Sequence, residues 1–285
     1  MHRRKKKQSV GNGLWRSVRG KLIGGSWAVV MVVIIYFVVR FITATNASES
    51  AAQATINRGQ LMQMVLPDNL KSVRCDYRGF TSHFNPDLHI PNVVIYELTV
   101  DEADGTLPRY KNFITDDRVE GCATPDDYSY SGYDRGHMAP AGDMKWDKDA
   151  MRESFYLSNI CPQTQSLNGG DWEDLESACR DWVEDRGVTL HIVCGPLFDS
   201  DKPRRLKKHV AVPSGFFKAI ICLDKGNEKG IAFIYQNNTD RSRPMSNYVC
   251  TIDSVEKLSG FDLFHNVAAK TQQRIEKQAD LNDWQ

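Results

Sequence analysis

The sequence predicts an α+β domain behind a single membrane-spanning helix. Three observations carry this reading. Apolar strand-like runs and helical patterns alternate without the regular βαβ rhythm of a parallel sheet. One uncharged stretch near the amino terminus is long enough to approach the thickness of a bilayer. The charge, balanced overall at 36 Lys+Arg against 36 Asp+Glu, is sharply segregated along the 285 residues. With 41% hydrophobic and 25% charged residues the chain is ordinary globular material, which excludes a disordered or collagen-like protein.

The first element is a basic tail over residues 1–21. Nine basic residues (Arg3, Arg4, Lys5, Lys6, Lys7, Arg16, Arg19, Lys21 and Arg40) precede the first acid, Glu49. The rest of the chain keeps 27 of the 36 basic residues against all 36 acids, a net of −9, so no broadly basic surface is available to a polyanion. From Leu22 to Val39 there is no charge. At 1.5 Å per residue such a helix spans roughly 27 Å, and Lys21 and Arg40 can snorkel to either interface. Residues 22–42 are therefore read as an anchor with the membrane as its partner. The positive-inside bias places the amino terminus in the cytoplasm and the bulk of the chain outside it, periplasmic or otherwise extracytoplasmic. The alternatives are a cleaved signal with secretion, using the small residues up to Ala47, and a mitochondrial presequence or inner-membrane anchor. Residues 43–70, rich in Ala, Ser, Asn and Gln, read as a linker.

The domain proper is expected over residues 71–280. Strands are signalled at residues 93–100, 188–195, 216–223 and 231–236, bounded by Gly, Pro, Asp and Asn. A helix is signalled from Asp171 to Asp185 and stopped by Gly187. A second is expected near Asp253, where Asp253 and Glu256 have capping-box spacing, and a third over residues 264–280. Seven cysteines without a CxxC pair suggest neither a disulfide scaffold nor structural zinc, and Cys194 and Cys222 read as small buried thiols. Sequons stand at Asn46 and Asn237.

Chemistry concentrates between Tyr133 and Arg186. The run Asp134-Arg135-Gly136-His137-Met138-Ala139-Pro140 offers an imidazole able to act as a base near neutral pH and a guanidinium able to clamp phosphate oxygens. Asn159, Gln163 and Asn168 bring neutral oxygens suited to a hard cation or to orienting water. The helix adds a separate argument. Trp172, Leu175, Cys179, Trp182 and Val183 form its apolar stripe, and Glu176 lies inside that stripe. A carboxylate there is costly unless paired or placed for chemistry, and Arg180 at i+4 is one available partner. Asn168 precedes Glu176 by eight residues, roughly 12 Å along a continuous helix, so the two cannot ligate one ion directly unless the chain turns back before the helix.

Segment 132–182 resembles the DNA/RNA non-specific endonucleases of the ββα-metal (His-Me finger) type, on the strength of Asp134-Arg135-Gly136-His137 with Met138-Ala139-Pro140 and the later Asn159, Gln163, Asn168, Glu176 and Arg180. The likeness extends over about residues 70–270. It implies a central, mostly antiparallel sheet flanked by helices, and an Mg²⁺-dependent hydrolase that cuts DNA and RNA to 5′-phosphate products. It further implies Mg²⁺, with Mn²⁺ as a substitute, on Asn168, and His137 taking a proton from the attacking water. Glu176 would act through water, and Arg135, Arg180 and an upstream arginine, Arg109 or the nearby Arg118, would meet phosphate together with Gln163. Asn159 belongs to the same catalytic set.

Nothing in the chain reads bases: no helix-turn-helix, zinc finger or RRM signature is present, so contacts would fall on the phosphate backbone. The run Lys202, Arg204, Arg205, Lys207, Lys208, His209 could add a basic rim or be a solvated face. A homodimer is a further partner left open. Two rival functions stand beside the nuclease: a catalytically silent interaction module of the envelope, and a phosphodiesterase for other phosphate esters.

Overall fold

The computed structural model describes residues 31–41, 64–241 and 243–285. The chain divides into two units, Met1–Thr55 and Ile56–Gln285. In the first, residues 31–41 form a helix whose side chains are exposed throughout. The expected tail over 1–21, residues 22–30 and 42 of the expected anchor, and the linker up to residue 63 lie outside the described residues. No helix among the described residues is long and apolar enough to cross a membrane.

The second unit is built on a seven-stranded sheet. In chain order the strands of the unit are β1 (Val73–Asp76), β2 (Phe80–Asn85), β3 (Ile90–Leu98), β4 (Asp134–His137), β5 (Ile160–Gln163), β6 (Leu190–Leu197), β7 (Arg205–Leu206), β8 (Val210–Ala211), β9 (Gly215–Cys222), β10 (Lys229–Gln236) and β11 (Val249–Cys250). The sheet runs β1-β2-β3-β6-β9-β10-β11 with every neighbour antiparallel, and β4–β5 and β7–β8 form separate two-stranded ribbons. Its helices are α1 (Val100–Ala103), α2 (Lys148–Glu153), α3 (Trp172–Arg186), α4 (Ile252–Ser259) and α5 (Ala269–Ile275).

The central strands are covered on both faces, which is why β3, β6, β9 and β10 are dominated by apolar residues. Along β9 the alternation is plain: Phe216, Lys218, Ile220 and Cys222 face α3, while Phe217, Ala219 and Ile221 face α4 and α5. Onto the first face α3 lays Trp172, Leu175, Cys179, Trp182 and Val183, the expected stripe. It ends where Gly187 adopts φ 63°, with the Gly187 N–H donating to Val183 O, a left-handed close that favours glycine. Ile252, Val255 and Ile275 cover the second face.

Several boundaries differ from expectation. The cap of α4 is Thr251, whose hydroxyl accepts the Ser254 N–H, so Asp253 sits in the first turn rather than at the cap. The third helix shrinks to Ala269–Ile275 because Phe264 takes φ 57° and the chain turns before it can coil. The folded unit also begins before residue 71 and extends beyond 280. Val65 bridges Asp262, and Trp284 is buried against Trp182 with the Lys229 ammonium 4.5 Å from its ring centre. Strand β2 had no apolar signature: its buried Ser82 and Asn85 are satisfied by Ser158 O and Asn92 Oδ1. All seven cysteines are unpaired, and Cys194 and Cys222 are fully buried.

Candidate active site

The ribbon β4–β5 carries the first half of the site. Its register sets Asp134 opposite Gln163, Gly136 opposite Cys161 and His137 opposite Ile160. Gly136 is required by closeness: a Cβ there would overlap the Gln163 side chain, which lies flat over the bare backbone. Gln163 is fully buried, and both of its amide atoms lack a partner within the protein. Asn159 is buried too, but every group it has is used. It accepts from Ala139 N–H and donates to Ala139 O and Ser154 O, all at 2.8–2.9 Å. With the Met138 N–H bonded to Asn159 O, this residue pins the backbone that leaves His137.

His137 is only 6% exposed, and its Nε2 has no hydrogen-bond partner in the protein. Phe155 meets the imidazole edge-on at 4.8 Å and Phe113 tilts against it at 5.4 Å. The dry surroundings disfavour the imidazolium, and the Arg109 guanidinium adds repulsion, so its pKa falls to about 3. The ring is thus neutral at physiological pH, the state a general base requires. The Trp172 indole donates to His137 O and ties the ribbon to the first turn of α3.

Before α3 the chain does turn back. Residues Leu167–Asp171 form a wide π-type turn, with Gly169 and Gly170 outside helical geometry. This brings Asn168 into the same cavity as Glu176, and the expectation of a continuous helical separation does not apply. The Asn168 amide donates Nδ2 to Asp134 Oδ2 at 3.1 Å, which leaves its Oδ1 as the donor atom for a cation. The turn is held from outside. Arg241 donates to Gly169 O and pairs with Asp174, while Asp171 accepts from Thr239 and Tyr248. Asn237 accepts from Thr164 N–H and donates to Pro162 O and Pro213 O, fixing the end of β5.

Glu176 does not pair with Arg180. Arg180 instead binds Asp143 Oδ1 at 2.7 Å and Ser177 Oγ at 2.9 Å. The nearest cation to Glu176 is Lys218, with Nζ 4.0 Å from Oε1. Lys218 is fully buried between Trp172, 4.5 Å from the ring centre, and Tyr96, whose hydroxyl accepts a hydrogen bond from the ammonium at 3.3 Å. Burial lifts the Glu176 carboxyl to about 7 despite the opposing pull of Lys218, with Asp143 adding to the rise.

Arg109, His137, Pro140, Ala141, Asn168, Gly169, Glu173 and Glu176 together line a cavity of about 300 Å³. Of the two candidate upstream arginines, Arg109 belongs to this lining, stacked 5.2 Å from the Phe155 ring centre. Arg118 is bound to Asp116 and lies over Tyr77 and Tyr156. Arg135 lies outside the lining: it donates to Pro125 O and stacks on Phe113 and Tyr128. The basic run after Lys202 folds onto the domain, with Lys207 paired to Asp126, Arg204 over Tyr133 and Arg205 bonded to backbone carbonyls. The aromatic walls Phe113 and Phe155, the buried Lys218 and the bracing Arg241 were not anticipated. Only Lys218 left a signal, a charge in the middle of the apolar run Phe216–Cys222.

A family model for the DNA/RNA non-specific endonucleases matches residues 57–270. A nuclease of the cyanobacterium Nostoc is 32% identical over 226 residues, which is 75% of this chain and 80% of that protein. The mitochondrial nuclease EXOG of Xenopus laevis is 36% identical over 209 residues, and human mitochondrial endonuclease G is 34% identical over 173 residues. The chain spans 66% and 56% of its own length in these two matches and 58% of each relative. A solved chain of the EndoG/EndoGI complex, described as showing the mechanism of EndoG inhibition, superposes with a TM-score of 0.66 at 26% identity. The match covers 76% of this chain and 95% of that one.

Proposed function

This chain belongs to the DNA/RNA non-specific endonuclease family, and from that premise we propose an Mg²⁺-dependent hydrolysis of both polymers to 5′-phosphate products in the cavity of His137, Asn168 and Glu176. The protein is a nuclease by its family; the metal, the residue roles and the cellular address are our reading. The observation that carries it is the convergence of a neutral, unpartnered imidazole, a free amide oxygen and an arginine on one cavity.

The donor chemistry fits a hard cation. Asn168 Oδ1 would hold Mg²⁺, or Mn²⁺ in its place, with Glu176 and Glu173 on the same wall to accept hydrogen bonds from its waters. Such an ion supplies charge stabilisation to the phosphate and to the leaving 3′-oxygen. His137 accepts the proton of the attacking water, and the walls of Phe113 and Phe155 keep the ring dry, oriented and unprotonated. Arg109 meets the phosphate from the cavity rim. Arg180, Asn159 and Gln163 are positioning residues: the first orders Asp143 beside Glu176, the second fixes the chain after His137, and the third fills the ribbon below it. Arg135 supports Phe113 and thereby the imidazole.

For location, residues 22–42 would anchor the chain with the nuclease on the side away from the basic tail. Relatives named as mitochondrial in frog, fission yeast and budding yeast support a mitochondrial address among the possible ones. Protease accessibility in fractionated cells tests this arm.

The decisive experiment incubates the full chain with plasmid DNA and with RNA, in Mg²⁺ or in EDTA. Degradation of both polymers with Mg²⁺ alone is expected, and failure with Mg²⁺ would overturn the reading. His137→Ala should lose at least a hundredfold in rate. Asn168→Ala should lose activity that excess Mg²⁺ partly returns, which separates the metal role from the fold.

A further inference from the structure

On the sheet face opposite the candidate active site, three carboxylates converge where α4 meets the end of α5. Asp253 and Glu256 stand three residues apart on one side of α4, and Glu276 closes α5. One oxygen from each lies within 4.8 Å of the others, close enough to share an ion with Ca²⁺–oxygen bonds of about 2.4 Å.

Acidic side chains often cluster on surfaces for no reason beyond solubility, but Glu276 does not fit that account. It is 6% exposed, and its Oε1 is buried without any hydrogen-bond partner. The Gln272 side chain gives the carboxylate some hydrogen-bond relief, but the charges that weigh on it are all negative: Glu256, Asp253 and Asp262. Asp253 sits in the first turn of α4, where the helix dipole favours a carboxylate, and Glu276 reaches the same helix end through its own backbone carbonyl. A carboxylate with one oxygen buried and bare, facing two others, is costly while ionised, and a cation joining the three would relieve that cost.

We propose that Asp253, Glu256 and Glu276 form a structural site for a hard divalent cation, Ca²⁺ or Mg²⁺, that fastens α4 to α5. The backbone is already set for it. Glu256 Oε1 accepts the Leu263 N–H at 2.7 Å, which fixes that carboxylate, and the Asp253 N–H donates to Glu276 O, which holds the two helices at this spacing. Exposed Asp253 gives the ion its route in, and water completes the coordination. The site is independent of the reaction: its ligands belong to helices whose Ile252, Val255 and Ile275 pack on the far side of the sheet from His137.

The test compares the thermal midpoint of the full chain with Asp253→Asn/Glu256→Gln, each in EDTA, in Ca²⁺ and in Mg²⁺. An ion present at a hundredfold over its dissociation constant should raise the wild-type midpoint by roughly 5 °C or more. The double variant, which keeps the shape but not the charge, should show no rise attributable to this site. Equilibrium dialysis with radioactive Ca²⁺ gives a second readout: one bound ion should persist in Asn168→Ala and vanish in the double variant. Equal shifts in wild type and double variant, or no bound ion and no shift with either metal, would overturn the proposal.

Discussion

The edge of the Phe155 ring meets the His137 imidazole at 4.8 Å and 81°, and Phe155 is itself only 2% exposed. This contact keeps water from one side of the imidazole and contributes to the burial that, with the Arg109 charge, depresses its pKa. Phe155→Ala should cost about 3–5 kcal/mol of stability, as for other buried Phe truncations. It should also let the His137 pKa climb from about 3 toward the ordinary 6.5 as water enters. Imidazole titration by NMR in wild type and variant checks the second claim; an unmoved midpoint would refute it.

Lys218 and Glu176 are predicted to act as a coupled pair. Lys218→Met leaves a largely buried carboxylate without its nearest cation and should cost about 3–5 kcal/mol. Adding Glu176→Gln should return much of that loss, giving a coupling of about 1–3 kcal/mol in a double-mutant cycle. Additivity within experimental error in denaturant titrations would show that the 4.0 Å approach carries no energy.

The sign of the Glu176 shift predicts a pH window. Its folded value of about 7 lies above the ordinary 4.5, so the folded state holds the proton between them. The group's contribution is full below pH 4.5 and is lost as pH rises through 7. Glu176→Gln should therefore match wild type near pH 4.5 and exceed it by on the order of 1–3 kcal/mol at pH 8, measured without metal. Equal stability of the two proteins at pH 8 would contradict the buried placement.

Gly136→Ala should overpack the ribbon, because the added methyl collides with the Gln163 side chain. A cost of about 1–3 kcal/mol is expected. Gln163→Ala in the same chain opens the space and should recover part of it, which calorimetry on the single and double variants can measure.

What the sequence made legible followed from periodicity and from motif spacing. The stripe on α3, the misplaced carboxylate within it and the stop at Gly187 are patterns of adjacent residues, and each stands where expected. The motif residues His137 and Asn168 do share a cavity. What stayed hidden depends on long-range closure. Phe113 and Phe155 are ordinary aromatics until the fold presses them on His137. The turn at Gly169 and Gly170 depends on Arg241 and Thr239, some seventy residues downstream. β2 hid its burial because its polar side chains find partners only in the assembled sheet. Arg180, expected beside Glu176 from helical spacing, found a buried acid 37 residues away instead.

The bonding of Asn237 bears on the order of events in the life of the chain. Its side-chain nitrogen is spent on Pro162 O and Pro213 O, and its oxygen on Thr164 N–H. A sugar transferred to that nitrogen would have to arrive while the polypeptide is still open, and would then bar β5 from docking. Glycan attachment at this sequon would therefore compete with closure of the β5 end. In any secretory route, fast closure of the β5 end is what would keep the enzyme unmodified there.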